Sequence, residues 1–221
     1  MRNDISLELA SRLTEQVKTA FENGSLLDAV TPVTQDLLKF WFMGPYTEER
    51  SKNFHEGQKQ SILNIIYLHE VLQVTTVEEI YRQVAPDLLA ECNLSDLAKE
   101  KYRIPKYAVK MATGTGKTWV MHALLLWQLL NARHEEQEER SGRYTQNFLI
   151  VAPGLIVYDR LKDAYCGRLK ENCTERDPFT NDLYLHKDLF IPPAYRDEVF
   201  SFIQNNVVTK EEGIGRKITG N

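Results

Sequence analysis

Cysteine is scarce and unpaired in this sequence. There are three, Cys92, Cys166 and Cys173, an odd number with no C-x₂-C step between any two. That excludes a disulfide framework and a zinc knuckle as the source of stability and leaves reduced thiols. An excess of positive charge is also missing: 27 Lys and Arg face 31 Asp and Glu, for a net charge of −4. A protein that coats nucleic acid by bulk charge is therefore excluded, and any such contact must be local. No apolar run approaches the roughly 20 residues of a membrane span, and the opening MRNDISLELASRL has no uninterrupted apolar segment of the kind a secretory signal needs. A soluble, cytoplasmic protein is expected. Hydrophobic residues at 43% and charged residues at 26% leave disorder and collagen-like repeats unsupported.

What is present is mostly helical pattern at first. Ile5, Leu9, Leu13, Val17 and Phe21 stand four apart, one stripe of a helix that Asn23-Gly24 stops. Thr31 as N-cap and Pro32 at the first helical position open a second helix, which runs through Leu37, Leu38 and Trp41 to Gly44-Pro45. The FWF cluster at 40 to 42 is expected in a core. Residues 54 to 72, FHEGQKQSILNIIYLHEVL, and the pattern from Thr75 onward, broken at Pro86, add further helix. Then the period changes. YAVKM at 107 to 111 and NFLIVAPG at 147 to 154 are short apolar runs of the kind that form buried strands. Each is followed by helical pattern, GKTWVMHALLLWQLLNAR and LIVYDRLKDAY, the first spanning about 27 Å at the helical rise per residue. A polar stretch from His134 to Gln146 connects the two units. Strand, helix, strand, helix predicts an α/β fold with a parallel sheet. A short helix is expected around 194 to 204.

Gly114-Thr115-Gly116-Lys117-Thr118 lies between the first of those strands and its helix, the setting a phosphate-binding loop requires. Glycines let successive N–H groups converge on one anion, and a helix N-terminus adds the favourable end of its dipole. Lys117 is placed to meet the β- and γ-phosphates of a nucleotide, and the Thr118 hydroxyl to ligate Mg²⁺. The strict G-x₄-G-K-[ST] pattern is missed at its first glycine, where Met111 stands. A glycine turn capping an ordinary helix is the plainer alternative. The five histidines show no ligand spacing, and His122 is expected as a packed residue with its polar atoms satisfied.

KMATGTGKT followed by FLIVAPGLIVYDRLKDAY resembles motifs I and Ia of the superfamily-two helicase-like motors, and most closely the Res subunit of type III restriction enzymes. FHEGQKQSI is similar to the glutamine-bearing segment that precedes motif I in such motors. The resemblance implies an incomplete RecA-like P-loop domain, at 51 to 221, preceded by a helical N-terminal appendage at 1 to 50. It implies ATP and Mg²⁺ as cofactors, duplex DNA as substrate track, and a DNA methyltransferase subunit as partner, in a protein that also carries a nuclease. It assigns Gly114, Thr115, Gly116, Lys117 and Thr118 to the phosphates and metal. Gln58 falls at the glutamine that pairs with adenine, a role an amide suits because it offers donor and acceptor side by side; a solvated helix residue is the alternative. By likeness to motif Ia, Gly154, Arg160 and Lys162 are candidates for DNA phosphates, although Asp159 and Asp163 interleave with the two cations.

The acidic pair that such motors use to hold Mg²⁺ and orient water is not found as an apolar run ending in Asp-Glu within 165 to 221. That pair is expected in a continuation of the chain, so that catalysis belongs to a longer protein. Another superfamily-two helicase fragment, or a nucleotide-binding module that never hydrolyses ATP, are the other readings.

Overall fold

A computed structural model describes residues 5–92, 106–134 and 142–210. The helical pattern expected across 93 to 100, the connection at 135 to 141 and the tail after 210 lie outside them. In chain order the helices are α1 (Ile5–Glu22), α2 (Ser25–Ala29), α3 (Pro32–Phe42), α4 (Tyr46–Glu49), α5 (Glu56–Ile66), α6 (Val77–Val84), α7 (Pro86–Leu89), α8 (Lys117–His134), α9 (Leu155–Cys166), α10 (Asp182–Leu185), α11 (Lys187–Phe190) and α12 (Arg196–Asn206). A π-helical turn at Tyr67–Val71 extends α5. The expected helix after Pro193 is α12. The three cysteines are free thiols. By its internal contacts the chain divides into Met1–Gln35 with Phe54–Val120, and Asp36–Asn53 with Met121–Asn221. Among the described residues no helix is long and apolar enough to cross a membrane.

In the first unit α1 buries Leu13 and Val17, the middle of its predicted stripe, together with Ala20, while Ile5 and Leu9 lie against Tyr81 of α6, Leu88 of α7 and Ala85 between them. Helix α5 buries Ile62, Leu63 and Ile66, and the π-helical turn adds Tyr67 and Leu68. Thr31 caps α3 as expected, its Oγ1 accepting from the Thr34 N–H at 3.1 Å. The N–H of Thr31 itself is met from the π-helical turn, where the buried Glu70 carboxylate accepts it at 2.9 Å and accepts the Thr34 hydroxyl at 2.5 Å. A carboxylate taken from water is tolerable only when its oxygens are met in this way.

In the second unit Trp41, Leu126, Leu130, Leu183, Phe190 and Val199 are buried, and the Trp41 indole N–H donates to the Phe190 carbonyl at 2.8 Å. Phe40 and Trp41 are buried, as FWF suggested. Arg50 gathers the carbonyls of Phe40 and Trp41, orphans at the end of α3, together with that of Leu189. Burial pushes its guanidinium below the usual range, and three carbonyl acceptors offset that loss of water.

The parallel sheet expected from YAVKM and NFLIV is not formed among the described residues. The ladder present there is a two-residue antiparallel pair, β1 (Arg168–Leu169) with β2 (Arg176–Asp177), in register Arg168 to Asp177 and Leu169 to Arg176. Residues 107 to 111 and 147 to 152 lack regular structure. Leu149 is 90% and Val151 78% exposed. The physical reason is that apolar composition favours burial of side chains but does not supply the neighbouring backbone that a parallel strand needs on its edges.

His122 on α8 is fully buried. Its Nδ1 lies 3.0 Å from the Tyr165 hydroxyl and its Nε2 3.4 Å from Asp182 Oδ2. The carboxylate accepts only, so the Nε2 proton points to it and Nδ1 receives the tyrosine proton. Burial, and then the Asp182 charge, raise the Tyr165 pKa and keep that proton in place. The bond from His122 holds the Asp182 carboxyl below its ordinary range, against burial that acts the other way. A depressed folded-state value adds stability that is complete above the unfolded range near ~4 and is lost as pH falls through the folded value. Asp182→Asn should therefore lower the urea midpoint at pH 7, and its gap to the parent chain should narrow once pH is brought below the unfolded carboxylate range near ~4. Urea titrations at the two pH values check this; a gap that stays constant would refute it.

Candidate nucleotide-phosphate loop

Residues 112 to 118 turn sharply because two glycines occupy left-handed backbone, Gly114 at φ 83° and Gly116 at φ 73°. The turn is closed on the Ala112 carbonyl, which accepts the Thr115 N–H at 3.4 Å and the Thr115 hydroxyl at 2.7 Å. Gly116 has a second reason to lack a side chain: a Cβ there would lie 2.3 Å from Gln58 Nε2. Helix α8 begins at once with Lys117, and the Trp119 N–H closes back on the Gly116 carbonyl at 2.9 Å. The exposed Lys117 ammonium lies over the start of the loop, donating to the carbonyls of Met111 at 3.0 Å and Ala112 at 2.8 Å. Thr118 follows on the first turn, half-buried.

The other wall is the start of α5. His55 is its N-cap. The ring Nδ1 accepts the Gln58 N–H at 3.3 Å, and Gln58 Oε1 accepts the His55 N–H at 3.0 Å, which is a reciprocal capping box. Gln58 is 2% exposed, and its Nε2 donates to the carbonyls of Thr115 and Gly116, each at 3.2 Å. His55 Nε2 is 2.8 Å from the same Thr115 carbonyl. Phe54 meets Trp119 edge to face, with ring centroids 6.5 Å apart.

The sequence-assigned residues thus divide. Gln58, Thr115 and Gly116 are in direct contact, and Gly114, Lys117 and Thr118 continue the same loop. Gly154, Arg160 and Lys162 belong to the second unit. There Gly154 is the N-cap of α9 in extended backbone, Arg160 is exposed, and Lys162 is paired with Asp159 at 3.0 Å and lies over the Tyr158 ring. His55 was missed by sequence reasoning. The signal was present, since a polar residue three before a glutamine at a helix start is the spacing of a capping box, but His is outside the usual Ser/Thr form.

The residues present fit a nucleoside triphosphate with Mg²⁺. Two left-handed glycines, one ammonium, one hydroxyl and a helix N-terminus are the groups that polyphosphate chemistry asks for. A family model that covers this loop and the glutamine-bearing helix indicates the class, a helicase-like ATPase, and implies a RecA-like helicase fold. Within the class the chain belongs to the family described as Type III restriction enzyme, res subunit, whose model matches residues 51–190, well over half of the sequence. No curated protein and no solved structure matches the chain.

Gly116→Ala should be the most damaging single-carbon change in the loop. The methyl would strike the Gln58 amide and hold a left-handed backbone that costs about 1–2 kcal/mol for an L-residue. Loss of thermal stability of that order, with faster proteolysis of the loop, is the expected result; unchanged melting would show that Gln58 is not held where the structure has it.

Proposed function

We propose that this chain is the ATP-binding part of a DNA-dependent translocase subunit of a type III restriction endonuclease, acting on duplex DNA alongside a methyltransferase subunit. The observation that carries the reading is the loop at Gly114 to Thr118, anchored by Gln58 and lying within the matched family region. In this reading Lys117 meets the β- and γ-phosphates, Thr118 holds Mg²⁺, and the loop amides of Gly116 to Thr118 cradle the anion. The nucleotide supplies the free energy of phosphoryl transfer; the chain's own residues bind and orient it. The exposed runs at 107 to 111 and 147 to 152 are the strands of the domain's parallel sheet once partner strands flank them, with 1 to 50 a helical appendage to the domain at 51 to 221. DNA phosphates are met at the start of α9, by the N–H groups after Gly154 and by the exposed Arg160, with Lys162 contributing less because Asp159 compensates its charge.

Calorimetry with ATP and Mg²⁺ tests the central claim. Lys117→Ala removes a charged donor, and charge-assisted bonds of about 1.5–3 kcal/mol predict a 10- to 100-fold loss of affinity. Equal affinity in the two proteins would sink the assignment.

A base-reading role for Gln58 is part of the same proposal. Both hydrogens of its amide are engaged on the loop in this structure, so reading adenine requires one of those bonds to be exchanged. Gln58→Ala should reduce the preference for ATP over GTP more than it reduces triphosphate binding as such. An equal loss for both nucleotides would leave Gln58 as a loop anchor alone.

A further inference from the structure

We infer that His55 is a positioning residue for the phosphate loop: beyond capping α5, its ring holds the Thr115 carbonyl and thereby aims the loop's backbone N–H groups. Two bonds fix its chemistry. The Gln58 N–H can only donate, so Nδ1 carries no proton; the Thr115 carbonyl can only accept, so Nε2 carries one. The two contacts select the same neutral tautomer, and one rigid ring spans the helix start and the loop.

The consequence for the loop follows from peptide geometry. In a planar trans peptide the C=O and the following N–H point in opposite directions. Holding the Thr115 carbonyl toward α5, through His55 at 2.8 Å and Gln58 at 3.2 Å, turns the Gly116 N–H to the opposite side. Holding the Gly116 carbonyl, through Gln58 at 3.2 Å and the Trp119 N–H at 2.9 Å, does the same for the Lys117 N–H. Anchored carbonyls on one side therefore present amides on the other, and the glycine at 116 supplies the left-handed φ that this arrangement demands. Gln58 alone would have to restrain two carbonyls with one amide group. His55 gives the Thr115 carbonyl a second donor, from a ring with no long flexible chain behind it.

His55→Asn separates the two roles. Asparagine is among the best N-caps and keeps an acceptor for the Gln58 N–H, but its side chain ends short of where Nε2 stands and loses the Thr115 carbonyl. With the 221-residue chain, thermal melting should stay near that of the parent. Amide hydrogen exchange at 114 to 118 should accelerate about three- to tenfold, as expected for one hydrogen bond, with the amides of α5 unchanged. Affinity for a fluorescent ATP analogue with Mg²⁺ should fall by a similar factor. Exchange at 114 to 118 equal to the parent's would overturn the inference. The affinity arm rests on the nucleotide reading above and the exchange arm does not. A parent chain that fails to bind the analogue therefore counts against that reading, while loop exchange still decides the role of His55.

Discussion

Two consecutive carbonyls of the glycine loop at 112 to 118 are held by one amide nitrogen, that of Gln58, and the placement of the loop against the start of α5 depends on that attachment. A buried glutamine must find partners for two donors and an acceptor or cost several kcal/mol in lost hydration. Here the donors are met by Thr115 and Gly116 and the acceptor by the His55 N–H. The same demand explains the glycine: any side chain at 116 would occupy the space of the Gln58 amide. Loop conformation, helix start and residue choice at 116 are one constraint seen from three positions.

The second unit is organised by a different kind of polar economy. A buried histidine, His122, links the buried Tyr165 to the half-buried Asp182, and the three satisfy one another in series. His122 and Tyr165 alone would be unpaired polar groups in an apolar setting, so the chain Tyr165, His122, Asp182 ties α8, α9 and α10 together. Arg50 does comparable work at the end of α3, where the last carbonyls of the helix have no partner within it.

Helices and the glycine turn at 112 to 118 were legible because their signals are local. The four-residue stripe from Ile5 to Phe21, Thr31-Pro32 as a helix opening and the Pro86 break each depend on neighbours within a turn or two. The loop's turn required left-handed residues, and Gly114 and Gly116 announce them. Sheet formation was not legible in the same way. The FLIV run has the composition of a strand, but pairing is a property of what lies beside it, and no sequence window contains that. Gln58 illustrates the intermediate case. Its place ahead of the loop marked it as a residue to watch, whereas the carbonyls it meets are 57 and 58 positions away. The capping signal of His55 was local but outside the usual Ser/Thr form, and its loop partner Thr115 is 60 positions distant.

The apolar run from Phe148 to Val151 ends against Pro153, a residue without a backbone N–H. Proline cannot donate to a ladder and disfavours continuation of one. Any strand that adds to this run can zip along only four or five residues before the register has nothing to bond. The chain then turns at Gly154 and winds into α9. The stretch most prone to adhere to another strand thus carries its own terminator, which caps the length of any pairing and leaves the helix that follows outside its reach.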